Sequence, residues 1–358
     1  MHEALYHPDF GYYTAHINAL GPRGDFATTV TLTPLLAQSL AAFLTFEEAR
    51  YRRKRPTKLP KRLVGHPPAA PPNARERQTK KGPAKSTFEG SFTLLEIGPG
   101  NGSLAHDLLA ALPWRLRRKT KLHLVEISPR LQTLQKQRLK KYQKQISWHT
   151  DITDALSHID QDAHLFVLSN ELVDAFSASI HEFDPHKNTW QKLHLAFTPD
   201  KGIKEILIPS SPPAGDWNLE SLDSTQRVET HESYHSWIAS WTPSLPTQTT
   251  LLTIDYGDTI DRLYHRQPRG TIRAYYRQQR LTGPEVYARF GKQDLTADVN
   301  FSTLIDQGDE LGLKTHSLQN QHDFILTHLP NTAPDHRLIN PEGPGSAFKI
   351  LHQSFFPL

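Results

Sequence analysis

The sequence predicts an α/β protein built on a Rossmann-like, doubly wound sheet, and three observations carry that expectation. Short apolar runs without a polar face recur at 92–97, 122–127, 164–169 and 250–256, as strands buried on both sides of a parallel sheet require. Stretches of helical periodicity lie between the first of these runs. The first run ends in Gly98-Pro99-Gly100-Asn101-Gly102, a glycine-rich turn at the strand end where open sheets of this class bind ligands.

Taken in order, residues 1–51 read as an N-terminal cap segment. It begins aromatic and glycine-rich (Phe10-Gly11-Tyr12-Tyr13) and passes through a loop holding Gly24 and Asp25. Leu35, Leu36, Leu40, Phe43 and Leu44 then recur at helical spacing, with Thr33 as cap and Pro34 as first helical residue. Residues 50–85 hold thirteen Lys/Arg and one acid, Glu76, a local balance of +12. The whole chain carries 41 Lys+Arg against 37 Asp+Glu, or +4, so the other residues sum to 4 − 12 = −8. Prolines crowd the same stretch and large apolar residues vanish after Val64, so 52–87 reads as a disordered, basic, proline-rich insertion that cannot offset its ordering entropy.

From 88 to 358 the core runs on. Leu104, Leu108, Leu109 and Leu112 mark a first helix, and Pro129 opens a second with Leu131, Leu134 and Leu139. A β-rich insertion is expected at about 180–220, where alternating strands are separated by turns, and Ala347 to His352 would supply an edge strand.

Several function classes drop out. Without cysteine there is no disulfide framework, no thiolate zinc site and no cysteine nucleophile. No apolar run approaches the ~18 residues of a membrane span and the first residues lack signal-peptide order, which makes a soluble cytoplasmic protein the default. The 20 histidines are scattered; His231 and His235 are the i, i+4 pair in a helical stretch, and no metal is expected. The basic helix at Lys136, Arg138, Lys140, Lys141 and Lys144 reads as a solvated face. The basic insertion offers no aromatic platform, so nucleic acid is not an expected partner.

The chemistry concentrates at strand ends. Glu96, Gly98, Gly100 and Gly102 form E-x-G-x-G-x-G, which places unhindered backbone N–H groups beside a helix start. A dinucleotide fingerprint needs G-x-G-x-x-G and a phosphate loop needs Gly-Lys-Ser/Thr, and neither is present. The pattern suits a nucleoside without a pyrophosphate, as in S-adenosylmethionine (SAM) enzymes; a turn serving only tight packing is the plain alternative. Glu126, 28 positions after Gly98, is placed to accept both hydroxyls of a ribose, which by itself does not separate SAM from a nicotinamide cofactor. Asp151 after the third strand is placed for an adenine amino group, or equally for a helix cap. Asn170, Glu171 and Asp174 close the fourth strand, with the two acids on one face of a helical turn at the crevice mouth. Carboxylates there can hold an amine or guanidinium as a methyl group arrives; acids complementing a helix start is the plain alternative.

Together the motifs make a family. The chain resembles the MidA-like SAM-dependent methyltransferases through Leu5-Tyr6-His7-Pro8, Gly11-Tyr12-Tyr13, Gly24-Asp25-Phe26-x-Thr28, Glu96 to Gly102 and Val125-Glu126-Ile127-Ser128-Pro129. The likeness continues through Asn170 to Ala175, Asp255-Tyr256-Gly257, Gly270 to Tyr275, and Asp294 to Val299 with Phe301. The resemblance implies a class I methyltransferase fold with SAM at Gly98 to Gly102 and Glu126, and a cap in which the N-terminal motifs, with Gly24 and Asp25, meet the C-terminal motifs of 270–301. It also implies a protein substrate, since mitochondrial members are respiratory complex I assembly factors that dimethylate an arginine. The chain departs from the family pattern at Thr29-Val30-Thr31, Ser177-Ala178, Gln278 and Asn300. The leading expectation is therefore a SAM-dependent methyltransferase acting on a protein arginine, with Glu171 and Asp174 near the acceptor. A non-catalytic assembly or binding factor that keeps the fold is the alternative, and the glycine spacing disfavours a nicotinamide oxidoreductase.

Overall fold

The structure, a computed structural model, describes residues 1–17, 33–54, 92–198, 202–215, 217, 224–265, 267–333, 338–340 and 343–355. The expectations for Gly24, Asp25, Val30 and the insertion beyond Lys54 lie outside these residues. The strands in chain order are β1 (Phe92–Ile97), β2 (Thr120–Val125), β3 (Ile146–His149), β4 (His164–Asn170), β5 (Ser179–Asp184), β6 (Thr189–Thr198), β7 (Gly202–Ser210) and β8 (Gln226–Thr230). They continue as β9 (Thr249–Asp258), β10 (Arg273–Tyr276), β11 (Gln279–Leu281), β12 (Asp294–Thr296), β13 (Val299–Asn300), β14 (Leu313–Asn320) and β15 (Phe348–Phe355).

The main sheet has the order β14-β15-β9-β4-β1-β2-β3, with β13 pairing β9. β3, β2, β1, β4 and β9 are parallel neighbours, and β15 enters antiparallel between β9 and β14. Pleating explains the continuous apolar runs. Phe92 and Leu94 point to one layer with Leu36, Leu40 and Leu44 of helix Leu35–Lys54 and Leu108 of helix Ser103–Ala111. Leu95 and Ile97 point to the other, with Ile238 and Trp241 of helix Glu232–Trp241 and Phe301 and Leu304 of helix Phe301–Glu310. The N-terminal helix start follows its cap residue, since Thr33 Oγ1 accepts from the Leu35 N–H at 3.3 Å.

Two expectations are corrected. The segment from Ala347 is no edge: β15 is hydrogen-bonded on both sides, and β14 is the edge strand. β14 escapes sequence reading because Leu313-Lys314-Thr315-His316-Ser317 carries few apolar side chains, as an edge strand permits. The insertion forms a four-stranded sheet, β7-β6-β5-β8, that reaches past 220 to Thr230. The polar β8 is held by Arg227, which donates to Glu182 at 2.8 Å and to Glu205 at 2.7 Å.

A third sheet, β11-β10-β12, belongs to the C-terminal cap. Leu5, Tyr12 and Ile17 pack with Ala274, Leu281, Val286 and Leu295, so the N-terminal segment and this cap share one apolar cluster. Gly270 begins the cap at φ +75°, where a Cβ would sit 2.1 Å from Glu229 Oε1. Only glycine lets the chain pass, and Glu229 then accepts from the N–H of Thr271 at 2.7 Å and of Ile272 at 3.3 Å.

Candidate cofactor and acceptor site

One cavity of about 1200 Å³ opens at the C-terminal ends of β1, β2, β3, β4 and β9, where the sheet order reverses around β1 and β4. Its walls include Glu96, Gly98, Gly100, Glu126, Asp151, Asn170, Glu171 and Asp174. The glycine turn forms as its sequence demands, since Gly98, Gly100 and Gly102 have φ of 65°, 52° and 77°. A Cβ on Gly98 would meet Leu172 Cδ1 at 2.9 Å. Gly102 caps helix Ser103–Ala111 in the left-handed region, and Gly98 N donates to Val125 O at 3.0 Å, locking the turn to β2.

Burial drives the electrostatics. Glu96 is pushed up to about 8, by burial first and by the Glu126 charge second. Glu126 is pushed up to about 7 by burial, partly offset by the hydrogen bonds it accepts from Ser128 N at 2.9 Å and Gln135 Nε2 at 3.2 Å. Asp151 both lines the cavity and caps helix Ile152–Ser157, accepting from Thr153 N at 2.8 Å and Asp154 N at 3.0 Å, so both readings of this residue are geometrically present.

The acceptor end departs from the expected helix. Glu171 takes φ +52°, a left-handed turn rare for a non-glycine residue, and Val173–Ala175 is a single 3-10 turn. Glu171 and Asp174 therefore do not share a helical face, and the physical reason is Asp255. This fully buried residue, at the end of the apolar part of β9, accepts on Oδ2 from the N–H of Leu172 at 3.2 Å, Val173 at 2.9 Å and Asp174 at 3.3 Å. The carboxylate gathers the loop under the strand and directs Asp174 inward.

Around Asp174 stands a ring of side chains that spacing alone does not nominate. Tyr256 Oη donates to Asp174 Oδ2, and the Arg273 guanidinium lies 4.6 Å above the Tyr256 ring while it pairs with Asp298. Tyr13 Oη donates to Asp294 Oδ1 at 2.8 Å, Tyr6 Oη donates to Ala175 O at 3.0 Å, and the two tyrosine rings stack at 5.6 Å. Burial lifts Asp294 to about 7, the Asp174 charge adding to it. The sequence signal for these residues is their place in Tyr6, Tyr12-Tyr13, Asp255-Tyr256, Arg273 and Asp294 motifs, whose physical role only the fold displays.

The donor set fits a cationic nucleoside. Glu96 Oε2 and Asn170 Oδ1 are buried without a hydrogen-bond partner, and both residues line the cavity. Such acceptors, beside a glycine turn with open backbone, suit a ligand bearing ammonium, sulfonium and hydroxyl groups.

Two family departures have structural readings. Asn300 caps helix Phe301–Glu310, accepting from Ser302 N at 3.1 Å and Thr303 N at 3.4 Å, a task Asn and Asp perform alike. Gln278, with Arg277, forms the two-residue left-handed turn between β10 and β11. His231-Glu232-Ser233-Tyr234-His235 has the H-E-x-x-H spacing, but His231 is the buried cap residue before helix Glu232–Trp241 and His235, within that helix, lies 3.7 Å from Glu310. Among the described residues, the side chains grouped as metal ligands would be are instead His149, Asp154 and His158. No helix among the described residues is long and apolar enough to cross a membrane.

The sheet order, with an antiparallel strand beside β9 and a crevice at the parallel strand ends, defines a class I methyltransferase-type α/β fold. The family described as "Putative S-adenosyl-L-methionine-dependent methyltransferase" matches residues 78–319, and the chain belongs to it. It is 25% identical over 336 residues to "Protein arginine methyltransferase NDUFAF7, mitochondrial" of Rattus norvegicus, covering 85% of this chain and 64% of that protein. The Drosophila melanogaster homolog of that name is 25% identical over 329 residues, covering 84% and 63%. The chain thus spans just under two thirds of these relatives' length. A Burkholderia thailandensis protein crystallised with S-adenosyl-homocysteine shares the fold with a TM-score of 0.73 at 21% identity, over 99% of this chain and 86% of that one. The cytoplasmic expectation is corrected by these findings: the relatives are named as mitochondrial proteins, which points away from the cytoplasm.

Proposed function

We propose that the protein binds SAM in the cavity and transfers its methyl group to a protein arginine side chain. The observation that carries the reading is one cavity that joins a family-matching glycine turn, two buried carboxylates at the strand ends and a second carboxylate cluster around Asp174. The names of the relatives support arginine as the acceptor.

Gly98, Gly100 and Gly102 would let the donor approach the β1 turn, Glu126 would accept the ribose hydroxyls, and Asp151 would meet the adenine. When bound, SAM supplies an electrophilic methyl group on sulfur. Asp174 and Glu171 would hold the acceptor guanidinium in line with it. The acceptor nitrogen would take that methyl group, sulfur would keep the electron pair of the C–S bond, and Asp174 or Glu171 would take the proton the nitrogen gives up. Catalysis is then chiefly positioning and preorganised charge, which buried, hydrogen-bonded acids provide.

Calorimetry with SAM tests the cofactor step. Gly98→Ala forces a side chain into φ +65° and against Leu172, so SAM affinity is expected to fall about tenfold or more while the fold remains. Unchanged affinity would remove the glycine turn from the site. The acceptor step is tested by mass spectrometry of arginine methylation in extracts supplied with labelled SAM; absence of any transfer would leave a binding factor.

Affinity should also depend on pH with a definite sign. The folded Glu126 value, raised to about 7, means ionisation is unfavourable in the free protein. A raised carboxylate contributes stability below the ordinary carboxylate range and loses it as pH rises through the folded value. The free protein should therefore become less stable as pH rises from about 4.5 to about 7, and level off above that. SAM binding, which needs Glu126 ionised, should strengthen by up to about tenfold per pH unit as pH rises toward 7 and level off above it. Flat affinity from pH 6 to 8 would separate Glu126 from the ribose.

A further inference from the structure

His149 ends β3 and is buried, and the chain turns at Thr150 and Asp151 into helix Ile152–Ser157. Asp154 sits in the first turn of that helix and His158 follows it four residues later as the C-cap, so both return to the same face. One ligand atom from each of His149, Asp154 and His158 lies within 4.8 Å of the others. His149 Nδ1 is 2.6 Å from Asp154 Oδ2, and His158 Nδ1 is 3.8 Å from Asp154 Oδ1. The Asp154 and His158 side chains are 55% and 58% exposed, which leaves an approach from solvent.

A fourth residue separates this group from a chance surface cluster. His149 Nε2 lies 3.0 Å from Nδ1 of His123, a buried residue of β2. A metal-bound imidazole characteristically donates its remaining N–H to a fixed acceptor, which sets its tautomer and orientation. His123 Nδ1 stands at that place, on an interior strand, with no counterpart needed from solvent. In the hydrogen-bonded arrangement the His149 Nδ1–H faces Asp154. With an ion present Nδ1 would give its lone pair, Nε2–H would donate to His123, and both rings would exchange tautomer without gaining or losing a proton.

We propose that His149, Asp154 and His158 bind one divalent first-row transition cation, with His123 as the buried hydrogen-bond acceptor behind His149. Two imidazoles and one carboxylate with open positions suit zinc, nickel, cobalt or iron(II). Magnesium and calcium, which prefer all-oxygen shells, are not expected. The ion would tie β3 to the helix after it and so brace the Thr150–Asp151 turn, which lines the cavity. It takes no part in methyl transfer, and the proposal stands whether or not SAM is the ligand of that cavity.

The test is calorimetry of zinc alone into the tag-free full chain, without SAM, together with the visible absorption of the cobalt-loaded protein. One zinc per chain is expected, at least tenfold weaker in His158→Ala, a solvent-facing change that leaves the fold intact. His123→Phe should weaken zinc by about 10–100-fold while keeping all three ligands, a loss that a loose surface cluster would not show. His235→Ala, on helix Glu232–Trp241 and outside the ligand group, should bind as the unaltered chain does. No saturable zinc binding, or equal binding in His158→Ala, would overturn the proposal and leave a hydrogen-bonded helix cap.

Discussion

Asp255→Ala is expected to cost about 3–5 kcal/mol of folding stability and to abolish methyl transfer, because one carboxylate oxygen serves three consecutive backbone donors. Removing it leaves the N–H groups of Leu172, Val173 and Asp174 without their acceptor in a buried place. The other oxygen accepts from Tyr256 N at 2.9 Å and fixes the residue whose hydroxyl reaches Asp174. Burial, with the charges of Asp174 and Glu171, holds the Asp255 carboxyl well above its ordinary range. The native loop therefore stores a cost that the three N–H bonds offset. Asp255→Asn keeps an acceptor oxygen and removes the repulsion toward Asp174, so it should destabilise less, by about 1–2 kcal/mol, and retain part of the activity. Urea denaturation read by fluorescence measures both. An alanine variant within about 1 kcal/mol of the unaltered protein would show that the loop holds itself without Asp255.

That loop also marks where the sequence stopped being readable. The parallel strands were legible because burial on both faces writes a continuous apolar run, as in Phe92 to Ile97, and Gly98 to Gly102 because three left-handed residues at alternate positions favour glycine. β14 and β8 were not, since both are edge strands that carry few apolar side chains. The spacing of Glu171 and Asp174 suggested a helical face. What decides their geometry is a contact across 81 positions, from Asp174 N to Asp255 Oδ2, and local periodicity contains no trace of it. The same holds for Tyr13 with Asp294, 281 positions apart. Such long-range polar contacts appeared in the sequence only as motifs, visible as pattern but not as cause. The histidines show the same limit: helical spacing singles out His231 and His235, while His149 and His158 come together because a strand end and a helix C-cap converge.

Asp174→Asn is expected to lower kcat for methyl transfer by about 10²–10³ while SAM affinity stays within about twofold. Asp174 Oδ2 is engaged by Tyr256, and the residue lines the cavity. Burial raises the Asp174 carboxyl, whereas the Tyr256 hydrogen bond and the Arg273 charge pull it back, so it is poised to take a proton as well as to hold a cation. Asparagine keeps the volume and an acceptor toward Tyr256, yet presents an NH₂ or a neutral oxygen to the acceptor nitrogen. The loss should therefore fall on kcat rather than on the folded state. Glu171→Gln should lose less, about tenfold, because Glu171 is only half-buried and already accepts from Asn170 Nδ2 at 3.2 Å. Single-turnover rates at saturating SAM separate the two roles. If Asp174→Asn instead weakened SAM binding and left the single-turnover rate intact, Asp174 would belong with Glu96 and Glu126 on the donor side, and the acceptor would have to be sought toward Asp294 and the stacked Tyr6 and Tyr13.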